Sequence, residues 1–329
     1  MAMRIAILGA GAWGSALAIV LSRTHAITLW TRDPRRLEQI ARTRQSAYLP
    51  GITIPEAARL EPDAMRAVSD ADLVIAATST AGMLPTLERL AASRERALLW
   101  ACKGFDPQSG RLPHELVAQS LPGCKRAGAL SGPSFALEVA RGLPAALTVA
   151  SLDADFAAST AAALNGAPLR IYSSTDLIGV ELGGALKNVM AIAAGISDGL
   201  GLGSNARAAL ITRGLAEMAR LGLRMGGRPE TFMGLTGVGD LVLTATGDLS
   251  RNRTVGLRIA EGLPLERILA ELGHVAEGVH SARSALALAS RHGIDMPITE
   301  AVCAVLFEGM APKNAVQSLL ARETKPEGG

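Results

Sequence analysis

A chain of 329 residues, 49% hydrophobic but only 3% aromatic, is long enough for two domains whose cores are built from Ala, Leu, Val and Ile. Its net charge of +3 argues against a nucleic-acid groove, which calls for clustered Lys/Arg with aromatics between them, and suits small anionic ligands. Cys102, Cys124 and Cys303 are too few and too widely spaced for a disulfide framework or a zinc or other metal site, so a reducing, cytoplasmic setting is expected.

The first element lies in RIAILGAGAWGSALAIVLSR, where nothing between Arg4 and Arg23 is charged. The run reaches the lower bound for a membrane span, and ALA at 16–18 resembles a signal-peptidase site. Gly9, Gly11 and Gly14 argue against both, since each glycine inside a helix costs about 1 kcal/mol relative to alanine. RIAIL reads as a strand buried on both faces and GSALAIVLSR as a helix. Strand, G-x-G-x-x-G, helix is the order of a dinucleotide-binding turn. Gly9 would make the tight turn, Gly11 would let the backbone approach a pyrophosphate, and Gly14 would let the helix lie close to the strand.

The next strand is AITLW, followed by Arg32, Asp33, Arg35 and Arg36. An acid at this position binds the adenosine ribose of NAD, and an arginine accommodates the 2′-phosphate of NADP. Arg32 stands nearer the strand and favours NADPH; Asp33 keeps NADH open, and with Pro34 also reads as a helix cap. After a polar segment at 42–62 come strands at 72–78, 97–103, 127–132 and 145–151, with a helical stretch at 84–92. This alternation predicts a Rossmann-type, doubly wound parallel sheet with ligands beyond the carboxyl ends of its strands. Lys103 of ACKGF, and Gly132 and Ser134 of SGPSF, stand at that edge. From about Gly179 long Ala/Leu-rich helical stretches take over. The expected organisation is an α/β dinucleotide-binding domain over 1–180 and an all-α substrate domain over 181–329.

Lys187 lies in an otherwise apolar helix, with Gly183, Gly184, Met190 and Ala191 three and four residues away. Small or flexible groups there would leave room for another object to approach. Lysine is almost never fully buried without a partner, and snorkelling outwards is the structural alternative. On the functional reading Lys187 gives a proton to a carbonyl oxygen as hydride reaches the carbon, its pKa lowered by desolvation and a cation such as Lys103. Asp240, in the glycine-rich loop GLTGVGD, would hold Lys187 or bind a substrate hydroxyl. Ser250 reads as a helix N-cap, and with Arg251 and Asn252 it suits a phosphate.

Taken together, GAGAWGSALA, ACKGF, SGPSFALEVARG, GVELGGALKNVMAIAAGISDG, GLTGVGDLVLT, SRNRTVG and VAEGV resemble the bacterial-type NAD(P)-dependent glycerol-3-phosphate dehydrogenases over nearly the whole chain. The resemblance implies reduction of dihydroxyacetone phosphate to sn-glycerol-3-phosphate for phospholipid synthesis, by a cytoplasmic homodimer without a membrane span or nucleic-acid partner. It marks Lys187 as proton donor and acceptor. Substrate contacts would come from Lys103, Gly132, Ser134, Lys187, Asp240, Ser250, Arg251 and Asn252. Cofactor contacts would come from Ala12, Trp13, Arg32, Lys103, Ala136, Arg251, Val275 and Glu277. Ser204, where an acid is common, and Ala12, where serine is frequent, depart from the pattern, as does the mixed Arg32–Asp33 pair. Two other readings stand beside this one. A related dehydrogenase would place a carboxylated ketone or hydroxyacid on Arg251 and Asn252, and a nucleotide sensor would need no Lys187.

Overall fold

The computed structural model describes residues 2–91, 97–273 and 276–322. Strands form where short apolar runs are buried on both faces, as in LVIA and ALLW, every residue of which is buried. They are β1 (Arg4–Leu8), β2 (Ala26–Trp30), β3 (Ala58–Leu60), β4 (Leu73–Ala76), β5 (Ala97–Trp100), β6 (Ala127–Ser131), β7 (Ala145–Ala150) and β8 (Leu169–Ser174). Among the described residues these eight make one sheet in the order β3-β2-β1-β4-β5-β6-β7-β8. β1 pairs with β2 on one side, Ile7 opposite Leu29, and with β4 on the other, Ile7 opposite Ile75. The winding direction therefore reverses at β1 and opens a crevice beyond its carboxyl end.

The sheet departs from the predicted all-parallel series at β7, which runs antiparallel to β6 and carries β8 parallel to itself. The helix between β6 and β7, Ala136–Ala140, has 5 residues and rises only about 7 Å, too little to return the chain to the sheet's other edge. The polar segment at 42–62 contains β3, and the helical stretch expected at 84–92 is the helix Thr80–Leu90, with residue 92 outside the described residues.

The second half is built around the helix Leu177–Gly199, capped by Asp176 through the N–H of Gly179 at 2.9 Å. This described helix is long and apolar enough to cross a membrane, but 94% of its most apolar window is buried inside the protein, as befits a core helix. The apolar run near the N-terminus divides into β1 and the helix Ala12–Leu21. Around the central helix pack the helices Gly203–Arg224, Asp240–Thr246, Arg251–Ala260 and Glu277–Arg291. The central helix meets Arg251–Ala260 backbone to backbone. A Cβ on Gly195 would stand 2.1 Å from the Arg253 carbonyl oxygen, and one on Gly256 2.1 Å from that of Ile192. GLTGVGD is not a loop: Leu235–Gly239 is a π-helical turn that runs into the helix Asp240–Thr246.

Candidate active site

The fingerprint does at each glycine a different physical job. Gly9 has φ +125°, and a Cβ on it would lie 2.5 Å from the Ala77 carbonyl oxygen at the end of β4. A Cβ on Gly14 would lie 1.8 Å from the Gly9 carbonyl oxygen, so only glycine lets the helix approach the turn. A Cβ on Gly11 would meet nothing within 4 Å. Open space thus faces the N-terminus of Ala12–Leu21, whose first N–H groups have no intrahelical acceptor and favour an anion. Next to it the Thr78 hydroxyl is buried without a hydrogen-bond partner among the described residues. Both features fit a dinucleotide pyrophosphate and ribose.

Ala12, Trp13, Arg32 and Ala136 line the same cleft of about 950 Å³, which continues to Lys103, Lys187 and Asp240. Asp33 caps the helix Pro34–Thr43, its Oδ1 accepting from the N–H groups of Arg35 at 3.1 Å and Arg36 at 3.4 Å. Arg32 is exposed at the rim, and the Arg36 guanidinium lies 4.8 Å over the Tyr48 ring.

Lys187 does not snorkel. Its ammonium is buried and donates to Asp240 Oδ1 and, at 3.0 Å, to Thr244 Oγ1. Lys103 Nζ donates to Asp240 Oδ2 at 2.8 Å and to the Gly132 carbonyl at 2.7 Å. One fully buried carboxylate therefore bridges the sheet's edge and the helical half. Burial lowers the pKa of Lys187 to about 7, helped by Lys103 and opposed by Asp240. Burial alone would raise the Asp240 carboxyl, but the two ammonium groups outweigh it and hold it below the usual range. The room expected beside Lys187 is filled by protein. A Cβ on Gly183 would stand 2.4 Å from the Thr236 carbonyl oxygen, and one on Gly184 3.4 Å from Cγ of Lys103.

Ser250 caps Arg251–Ala260, its hydroxyl accepting from the Arg253 N–H at 3.2 Å. Arg251 lines the cleft, whereas Arg253 is tied to Asp198 and Asp248. Asn252 donates to Asn188 Oδ1 at 2.9 Å and accepts from the Gly278 N–H at 3.0 Å. Glu277 accepts from the Thr80 N–H at 3.1 Å and so spans the two halves at the cleft. Ser134 donates to the Gly132 carbonyl at 3.0 Å. Val275 lies outside the described residues. The other sequence-predicted residues stand in or beside this one cleft. Thr244 and Asn188 were not singled out from sequence; Thr244 follows Asp240 by one helical turn, the only signal that could have found it.

A buried ammonium near neutrality, beside a dinucleotide turn and an anion-suited helix N-terminus, is equipped to protonate an oxygen that receives hydride. Comparison with known proteins agrees. Residues 4–157 match the family model described as NAD-dependent glycerol-3-phosphate dehydrogenase N-terminus, and residues 176–317 match the model of its C-terminus. The chain belongs to this family. A glycerol-3-phosphate dehydrogenase (NAD(P)+) of Thiobacillus denitrificans is 57% identical over 329 residues, covering 99% of this chain and 100% of the relative. One from Ralstonia nicotianae is 56% identical over 335 residues and covers 99% of each. The crystal structure of glycerol-3-phosphate dehydrogenase from Coxiella burnetii matches with TM-score 0.92 and 40% identity, over 98% of this chain and 99% of that one. Family membership favours the phosphorylated ketone over the carboxylated one and the sensor.

Proposed function

We propose that this chain, an oxidoreductase of the glycerol-3-phosphate dehydrogenase family, reduces dihydroxyacetone phosphate to sn-glycerol-3-phosphate, with Lys187 as proton donor and acceptor. The observation that carries the assignment is the Lys187–Asp240–Lys103 cluster at the cleft shared with the fingerprint. The nicotinamide cofactor, when bound, supplies the hydride that reduces the ketone carbon. Gly9, Gly11 and Gly14 shape its turn, Ala12, Trp13, Ala136 and Glu277 border it, and Arg32 favours a 2′-phosphate and hence NADPH, with NADH also usable. The N-terminus at Ser250, Arg251 and Asn252 binds the phosphate, and Lys103 with Gly132 and Ser134 fixes the other end of the substrate.

As the carbonyl π pair moves onto oxygen, Lys187 gives that oxygen a proton, and the neutral amine is recharged from water. In oxidation the same amine takes the hydroxyl proton. Asp240 holds both ammonium groups and limits how far the pKa of Lys187 falls. Binding the phosphate away from the reacting carbon orients the ketone, so ketones lacking it lose turnover as well as affinity. The dinucleotide-binding part extends to about residue 180 and the helical part carries the rest of the chemistry. The family resemblance supports a cytoplasmic homodimer feeding glycerophospholipid synthesis, which light scattering on purified protein checks for oligomeric state.

The test is loss of nicotinamide absorbance with dihydroxyacetone phosphate, run with NADPH and NADH, on wild type and Lys187→Ala. The variant is expected to bind cofactor and lose turnover. Substantial turnover in the variant, or none in the wild type, overturns the assignment.

A further inference from the structure

The mechanism leaves unused a buried carboxylate, that of Glu181, one face away from Lys187 on the central helix. Glu181 Oε1 accepts from the Trp100 indole Nε1 at 2.8 Å and from the His114 N–H at 3.0 Å; its other oxygen meets His114 Nδ1. Trp100 ends β5, and Lys103 follows it by three residues. Two helical turns beyond Glu181, Asn188 Nδ2 donates to the Lys103 carbonyl at 3.1 Å. Between them Gly184 leaves space for the Lys103 stem, with a Cβ there at 3.4 Å from Cγ. Residues at i, i+3 and i+7 share one helix face. That face grips the segment at the Trp100 indole and at the Lys103 carbonyl, and receives the Lys103 stem between them.

We propose that Glu181 is a positioning residue for Lys103: with Asn188 it staples the end of β5 to the helix that carries Lys187, and so fixes how closely the two lysines share Asp240. The proposal rests on the reading of Lys103 and Lys187 given above. A carboxylate so deep in the protein is costly unless its hydrogen bonds are met, and here they are spent on joining a strand end to a catalytic helix. The alternative role is merely structural, since Glu181 also caps the helix Pro113–Ser120 through the His114 N–H. The two roles separate experimentally because only one passes through Trp100.

Trp100→Phe removes the indole donor and leaves the His114 contacts in place. Glu181→Gln keeps an acceptor for Trp100, and Glu181→Leu removes it. Each is assayed for kcat, for NADPH affinity by fluorescence titration, for melting temperature, and for the pH profile of kcat/KM in reduction. Lys187 faces the charged groups Lys103 and Asp240; Glu181 faces His114 with the Cys102 thiol nearby, and that thiol in turn lies near Glu277. Loosening the staple lets Lys103 withdraw, so its depressing effect on Lys187 weakens and the alkaline limb moves to higher pH. Trp100→Phe and Glu181→Leu are expected to lower kcat about tenfold, a cost of slight misplacement, and to shift that limb upward, with NADPH affinity changed far less than kcat. Glu181→Gln is expected to restore both. Folded Trp100→Phe and Glu181→Leu proteins with wild-type kcat and pH limb would overturn the proposal. Lys187→Ala, run alongside, tests the underlying reading separately, because it loses turnover whatever residue 181 is.

Discussion

Lys103, just past the end of β5, and Asp240, at the start of a helix 137 residues later, are joined at 2.8 Å, and the second oxygen of the same carboxylate holds Lys187. Asp240→Asn therefore leaves the buried Lys187 ammonium and the partly buried one of Lys103 without their anion. Breaking a buried pair in this way costs about 3–5 kcal/mol, so the variant should melt well below the wild type. Without the carboxylate the pKa of Lys187 falls further, and kcat/KM for reduction should drop more at pH 8 than at pH 6. Equal losses at both values would remove Asp240 from control of the lysine's charge.

If Lys187 is the proton donor and acceptor proposed above, its pKa of about 7 rather than the ordinary 10.5 predicts opposite pH dependences for the two directions. Reduction needs the ammonium, so its kcat/KM is expected to fall as pH rises through about 7 in the free enzyme. Oxidation needs the amine and is expected to rise over the same interval. Initial rates in both directions across pH 5.5–9, a span of about 3.5 units centred near neutrality, measure this directly.

Glu217 is fully buried and accepts from the N–H groups of Ile298 at 2.7 Å and Thr299 at 3.3 Å, capping the helix Pro297–Phe307 from a distant element. Burial pushes its carboxyl from 4.5 up to about 7, against the pull of those donors. Below about 4.5 the group is protonated folded and unfolded alike and its contribution is fully present. As pH rises the unfolded chain ionises first, and stability drains until pH passes about 7, by about 3 kcal/mol in all. Denaturant titrations at pH 5 and pH 8 should show most of that loss, and Glu217→Gln should flatten it.

Arg32→Ala is expected to raise the KM for NADPH by about tenfold or more and that for NADH little, as loss of a charge-assisted phosphate contact predicts. Direct titration with 2′,5′-ADP and 5′-AMP gives the same comparison without turnover. Asp33→Ala instead should cost about 1 kcal/mol of stability through loss of the helix cap.

Much of this was legible in the sequence, for physical reasons. A strand buried on both faces advertises itself as an apolar run, which is why β1, β2, β4 and β5 were readable. β8, LRIYSS, alternates buried and exposed positions, and β3 is three residues long within a polar segment, so neither carries that signal. The antiparallel turn of β7 is decided by connection length and not by anything inside the strand. In the site, Lys187 stands out as a charge in an apolar helix, Lys103 by its place at a strand end and Asp240 by its glycine-rich segment, and the fold brings the three side chains together. Asp240's bridge between the two lysines was not determined by the sequence, because it joins segments 53 and 137 residues apart. Asn188 and Thr244 carry no charge and looked like ordinary helix residues.

The glycine contact between Leu177–Gly199 and Arg251–Ala260 has one further consequence. With no side chain between them at Gly195 and Gly256, the two backbones leave neither helix a cushion there on which to slide or tilt. The proposed proton donor on the first helix and the proposed phosphate-binding end of the second are thereby held at a fixed spacing, like the jaws of a caliper locked at one opening. On that reading a substrate is gauged by length as well as by charge, and a ketone one carbon longer or shorter is expected to satisfy one jaw but not both.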